Sequence, residues 1–227
     1  MLETKPRNYY QGPRDDVWQF IPQNAATALE VGCGEGDFGF RLKQIGVRDV
    51  WGVELHESSG QQAQKVLDTV LIGDIADLVD QLPPDYFDLI VFNDVLEHMV
   101  DPFGVLAKIK SRVTQRGVVV SSIPNIRYYP VFRELLLHKT WEYEESGVMD
   151  RTHLRFFTVD SIRNMYQRLG YEVLRHEGIN LTPVRSRAFR IANLVSRGRL
   201  DDMQYVQFVT VARPLPNGPS ASSDGPR

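Results

Sequence analysis

Apolar and polar positions along the chain switch repeatedly between two periods. Short apolar runs at 28–31, 49–54 (DVWGVE), 69–72, 87–92 (FDLIVF) and 117–122 (GVVVSS) have the length and β-branched content of strands. Helical patterns separate them, from Asp37 to about Gln44, over 57–67 and over 101–112, the last opened by an Asp cap and a Pro at the first helical position. This alternation predicts a parallel sheet with helices on both faces, and ligands beyond the carboxyl ends of the strands. After Pro124 the rhythm breaks. Residues 125–157 are rich in aromatic and charged side chains and read as an insertion, before a helix at 159–169 and strands at 171–176 and 204–212. Between those two strands, Ala188, Ile191, Ala192 and Val195 recur at helical spacing and predict a helix docked by one face. A further helix is expected to end near Ile21, and 214–227 read as a disordered Pro/Gly/Ser tail.

Length and composition narrow this picture. A chain of 227 residues supports one α/β domain with elaborations, expected over 1–213: a lid or helix in 1–24, an insertion in 124–157 and a basic helical insertion in 180–203. Hydrophobic residues are 42% and charged residues 24%, as in soluble globular proteins. The net charge of −3 gives no global reason to expect nucleic acid. The one basic patch is Arg185, Arg187, Arg190, Arg197 and Arg199, whose partner reads as a diphosphate, a second subunit as in a homodimer, or an anionic membrane surface. Cys33 is the only cysteine, which excludes an intrachain disulfide and a thiolate zinc site. The N-terminus lacks the apolar core of a signal peptide and no run is long enough to span a bilayer, so the cytoplasm is the expected compartment, without integral membrane contact.

The chemistry concentrates at strand ends. LEVGCGEGDF, residues 29–38, places Gly32, Gly34 and Gly36 between a strand and a helix, where a ligand can approach the main chain and the helix offers unpaired N–H groups. Asp37 stands where a dinucleotide fingerprint needs its third glycine, and Glu30 precedes the loop. Acids on both sides suit a cationic ligand better than a pyrophosphate. Glu54 ends the second strand, where a carboxylate can accept ribose hydroxyls, and Asp74 follows the third, within reach of an adenine amino group. Each alone also reads as a solvated charge or a helix cap.

LEVGCGEG, WGVEL, GDI and FDLIVFNDVLEHMVDP together resemble the motif series of class I S-adenosylmethionine-dependent methyltransferases. The resemblance implies a Rossmann-like seven-stranded sheet of order 3-2-1-4-5-7-6 with an antiparallel last strand. It also implies S-adenosylmethionine as cofactor, with Glu30 and Gly32 to Gly36 lining the methionine part, Glu54 and Leu55 the ribose, Asp74 and Ile75 the adenine, and Asn93 the methionine end. Tyr10 and Arg14 are expected to cover the methionine carboxylate, a plain packing helix being the other reading.

PNIRYYPVFRELLLHKTWEYEESGVMDRTHLRFFT, residues 124–158, is similar to a segment of bacterial methyltransferases of sugar and surface-polysaccharide modification. It implies a sugar-hydroxyl acceptor, nucleotide-activated (a uronic acid, for example) or part of a polysaccharide precursor. A hydroxyl is a weak nucleophile and calls for a general base. His153, with Asp150 to orient it, is the first candidate and His98, in Leu96-Glu97-His98, the second; both also read as packing histidines. Arg127, Tyr128, Arg151, Arg155, Arg187 and Arg190 are the candidate acceptor-binding residues. No dense acidic cluster argues for a metal, and none is expected. Other readings are a lipid-like or quinone-like hydroxyl acceptor, a noncatalytic adenosylmethionine-binding module, a nicotinamide oxidoreductase (against Asp37), and a nucleic-acid methyltransferase, against which stands the absence of an Asn-Pro-Pro-aromatic motif.

Overall fold

All the strands that the alternation predicts are present: β1 (Thr27–Val31), β2 (Asp49–Glu54), β3 (Thr69–Ile72), β4 (Phe87–Asn93), β5 (Val113–Pro124), β6 (Tyr171–Leu181) and β7 (Tyr205–Pro214). They form one sheet of order β3-β2-β1-β4-β5-β7-β6 in a computed structural model that describes residues 14–215. The first five strands pair in parallel, while β7 runs antiparallel to both β5 and β6. This is the Rossmann-like order expected from the sequence.

Successive side chains of a strand point to opposite faces, and here both faces are cores. Leu29, Ile90, Phe92 and Val119 enter one cluster; Ala28, Leu89, Val91, Val118 and Val120 enter the other. Helices α1 (Asp15–Trp18), α2 (Asp37–Gln44) and α3 (Glu57–Ala63) cover the second face with Val17, Phe38, Leu42 and Ala63. The first face is covered by α4 (Ile75–Leu78), α5 (Pro102–Ile109) and, beyond the short α6 (Tyr129–Arg133), α7 (Val159–Arg168). Caps set the helix starts: Asp101 Oδ1 accepts from Gly104 N at 2.9 Å, and Thr158 and Ser161 form a reciprocal capping box at α7.

Several boundaries differ from the sequence pattern: β7 runs to Pro214, the first residue of the expected tail, whose residues from 216 on lie outside the described residues. The helix expected to reach Leu67 ends at Ala63, and Lys65, Val66 and Leu67 continue as turns on Gln62 and Ala63. Strand β5 begins at Val113, ahead of Gly117, through a register shift against β4 between Phe87 and Leu89. Strand β6 runs on to Leu181 because β7 keeps pairing with it as far as Tyr205. As an edge strand, β6 carries Glu172, Arg175 and Glu177, charges that discourage pairing with another sheet.

Helix α8 (Arg187–Val195) forms where predicted, but its predicted docking face does not dock. Ile191 is 64% and Val195 78% exposed, and Phe189 is the one buried residue of the helix. A single ring anchors it, edge-on to Tyr129 at 5.1 Å between centroids. Among the described residues, no helix is long and apolar enough to cross a membrane.

Helix α7 is locked to the sheet by one buried polar contact, in which the Tyr166 hydroxyl donates to Ser121 Oγ at 2.7 Å with both residues fully buried. Tyr166→Phe leaves the serine hydroxyl without its donor and is expected to cost about 1–3 kcal/mol. Adding Ser121→Ala should return much of that loss, as read from urea midpoints in a double-mutant cycle.

Candidate active site

The loop after β1 is held by main-chain and carboxylate contacts. Gly32 and Cys33 donate to the Val53 carbonyl at 2.8 and 3.1 Å. Gly34 N donates to Glu54 Oε2 at 2.8 Å, and the other oxygen of that buried carboxylate accepts from His56 N at 2.9 Å. Each oxygen keeps a further lone pair. Gly32 and Gly36 have φ of 72° and 93°. A Cβ on Gly32 would stand 2.6 Å from Val95 Cγ2, and one on Gly36 2.7 Å from Val66 Cγ2. The sequence reading kept these positions clear for a ligand; at 32 and 36 the chain itself fills the space in which a side chain would stand.

Glu30, nearly fully buried on β1, accepts from Gly39 N at 3.0 Å. Burial pushes its carboxyl up to about 8, against the opposing effect of the Gly39 N–H. Asp74 caps α4 by accepting from Ala76 N at 2.8 Å; Ile75 behind it is buried and Leu55 is exposed. Asn93, the last residue of β4, has both amide atoms buried and none in full hydrogen-bond geometry, its interaction being with the buried Glu30 carboxyl, whose proton affinity it lowers.

Asp94 follows with a left-handed φ of 54° and accepts from Ser122 Oγ (2.7 Å), Gln207 Nε2 (3.1 Å) and the Arg14 guanidinium. Arg14 also reaches Ser122 Oγ at 3.0 Å and Asp16 at 3.2 Å. The arginine expected over the methionine carboxylate is thus engaged in an ion pair at the ends of β4 and β5. Tyr10 lies outside the described residues.

One turn on, Glu97, His98 and His153 converge. The Glu97 carbonyl accepts from Leu154 N (2.9 Å) and Arg155 N (3.0 Å), which stitches the segment after β5 onto the β4 loop. Its carboxylate is 1% exposed, with neither oxygen hydrogen-bonded to another residue, and its affinity for a proton is raised well above the ordinary value by burial and then by Asp94. His153 is buried: its Nδ1 lies 3.1 Å from the Val148 carbonyl and its Nε2 4.0 Å from Glu97 Oε1. The His98 ring stands edge-on to it at 4.7 Å, with Nδ1 3.1 Å from both the carbonyl and the hydroxyl of Thr152. Asp150, fully buried, accepts from Thr152 N (2.8 Å) and Oγ1 (2.7 Å), so its carboxylate supports His98 through Thr152. The two candidate histidines therefore share one cluster. The sequence reading missed Glu97 as its third member, although the Glu-His pair was its signal.

The candidate arginines disperse. Arg127 forks onto Asp202 at 2.8 and 3.1 Å and so ties the end of β5 to the turn before β7. Arg151 pairs with Glu145, and Arg155 donates to the Val100 carbonyl at 2.6 Å. Tyr128 precedes α6 as its cap, and Arg187 and Arg190 are exposed on α8. Two grooves of about 400 and 310 Å³ share Val184; Arg190 and Arg197 line the first, Arg133 and Arg185 the second.

Residues 7–176 match a family described as a methyltransferase domain. The chain belongs to that family. The match spans well over half of it and includes every strand-end acid and the Glu97–His98–His153 cluster. Its fold is similar to that of a SAM-dependent methyltransferase from Archaeoglobus fulgidus (TM-score 0.67, 16% identity, 91% of this chain and 94% of that one). An S-adenosylmethionine-dependent methyltransferase from Mesorhizobium loti is also similar (TM-score 0.62, 19%, 87% and 95%). So is the [4+2]-cyclase SpnF (TM-score 0.56, 16%, 83% and 75%), which shows that this fold carries more than one chemistry. The chain matches none of the curated proteins.

Two tests address how the methyltransferase domain builds this end of its sheet. Gly32→Ala should cost about 2 kcal/mol or more, with Val95→Ala in the same chain returning the steric part and leaving the φ part, both read from urea midpoints. A carboxyl with a raised folded value binds its proton more tightly folded than unfolded. Glu30 thus contributes most stability below the ordinary carboxylate range, and that contribution is lost as pH rises through about 8. In Glu30→Gln the fall in urea midpoint between pH 5 and 8 should be shallower than in the parent; equal slopes would refute the assignment.

Proposed function

We propose that the chain is an S-adenosylmethionine-dependent O-methyltransferase acting on a sugar hydroxyl, nucleotide-activated or part of a polysaccharide precursor, with the proton removed at the His98–His153 pair. The carrying observation is that pair: two imidazoles 4.7 Å apart at the carboxyl end of β4, each with Nδ1 directed at a backbone carbonyl. A carbonyl can only accept, so an Nδ1 that donates to it would leave Nε2 to take the proton.

Bound S-adenosylmethionine supplies an electrophilic methyl group on a sulfonium. The residues present fit it. The Gly32–Gly36 loop and Asn93 would hold the methionine end, Glu54 and Leu55 the ribose, Asp74 and Ile75 the adenine. The buried amide of Asn93 supports this, since no bond in full geometry satisfies it and polar ligand atoms would. Glu30, neutral by burial, gains a reason to ionise beside a cation, whereas an anionic pyrophosphate would meet two acids.

The exposed arginines favour an acceptor that carries negative charge. Arg133, Arg185, Arg190 and Arg197 line the two grooves and can receive a diphosphate or a uronate. A second reading, a lipid-like hydroxyl, draws on the exposed Leu135, Leu136 and Leu137 and the open face of α8.

The test is formation of the demethylated cofactor when purified protein meets S-adenosylmethionine and a panel of nucleotide sugars, free sugars and lipid-linked alcohols. Turnover with one sugar class, lowered about 10²-fold or more by His153→Ala, is expected. Turnover confined to the lipid alcohols would transfer the reading to the second acceptor class, and none with any acceptor would refute both.

A further inference from the structure

We propose that Glu97, His98 and His153 form a binding site for one divalent transition-metal cation. One ligand atom from each residue lies within 4.8 Å of the other two, with His153 Nε2 already 4.0 Å from Glu97 Oε1. Ligands about 2.1 Å from a common ion stand about 3–3.5 Å apart, so small side-chain rotations close the set.

Three independent features point to a cation. The first is the carboxylate: Glu97 is 1% exposed and neither oxygen has a hydrogen bond from another residue, an arrangement that is costly until a positive charge offsets it. Arg14, whose charge acts on Glu97, is paired with Asp94 and Asp16. The second is the tautomer. Val148 O and Thr152 O each stand 3.1 Å from an Nδ1, where a carbonyl can only accept and so favours Nδ1–H, and a backbone carbonyl behind a ligating imidazole is the usual support of metal-bound histidine. Asp150 stiffens that support by accepting both donors of Thr152. The third is the donor class. Two imidazoles and a carboxylate suit manganese, iron, cobalt or zinc rather than magnesium or calcium, and three protein ligands leave coordination positions open.

For the cation's role, the inference rests on methyl transfer to a hydroxyl and replaces the histidine base of that reading with the cation, because an Nε2 that coordinates cannot also take a proton; the binding itself rests on neither. An acceptor hydroxyl in the open positions becomes more acidic. Its proton leaves to solvent, the oxygen forms a C–O bond to the methyl, the C–S bond breaks and the sulfonium becomes a neutral thioether. Chelation favours acceptors with oxygens on adjacent carbons, as vicinal sugar diols have.

The test starts from the full chain, stripped with chelator and titrated with Co²⁺ while its visible d–d absorption is recorded. Saturation at one cobalt per chain is expected, with affinity lowered at least 100-fold in Glu97→Gln, His98→Ala and His153→Ala. A variant-free check guards against substitutions that unfold the chain: on adding Zn²⁺, long-range nitrogen NMR of the parent should shift Nε2 of two histidines while their Nδ1 stays protonated. Absence of stoichiometric binding, or binding that survives all three substitutions in folded protein, overturns the site. Binding without methyl transfer to any acceptor would sustain the site and refute the methyl-transfer reading. Turnover unaffected by chelation, from protein that binds no cobalt, would do the reverse.

Discussion

A parallel strand buried on both faces has no room for charged or amide side chains except near its ends. Each strand from β1 to β5 contributes alternate residues to two apolar cores, so solvation requires the charged and amide groups to collect where the chain leaves the sheet. Glu54, Asn93, Asp94 and Ser122 all stand at or beside carboxyl ends of strands, and the order β3-β2-β1-β4-β5 opens a crevice between β1 and β4, where the connections diverge to opposite faces. Glu30 shows the cost of departing from this rule. It sits one position inside β1, and burial there raises its affinity for a proton even though Gly39 donates to it.

The same constraint makes the end of β4 the junction of the molecule. Asp94, in a strained left-handed conformation, gathers Arg14 from the N-terminal segment, Ser122 from β5 and Gln207 from β7. Three residues later the Glu97 carbonyl takes two N–H groups of the inserted segment. His153 owes its place to this stitch. The insertion arrives from β5, far along the chain, yet is pinned to the β4 loop by main-chain bonds that do not depend on side-chain identity at 154 and 155.

Legibility in the sequence follows from how local each determinant is. Strand and helix existence was readable because apolar period and caps act within a few residues: the 49–54 and 69–72 runs match β2 and β3, and Asp101-Pro102 opens α5. The loop glycines were readable as glycines but not for their reason, since Val95 and Val66 come from other elements. Candidate arginines failed to converge for the same cause. An arginine is long enough to pair with whatever acid the fold brings near, and for Arg127 that is Asp202, 75 positions away. Helix α8 illustrates the limit of periodicity, which identifies an apolar stripe without saying that anything will cover it.

What the fold leaves variable is where acceptor chemistry must be sought. The two cores and the sheet order satisfy the constraints of the topology, and a cyclase built on the same architecture shows that the fold does not dictate the reaction. The Glu97–His98–His153 cluster is different in kind. A carboxylate without hydrogen bonds from other residues costs stability, and packing alone would favour an apolar residue in its place. Its place beside two imidazoles backed by carbonyls is the observation on which the proposed cation site rests. On the proposed reading, acceptor specificity falls to the inserted segment that carries His153, Thr152 and Asp150, held against the rigid end of the sheet by the Glu97 carbonyl.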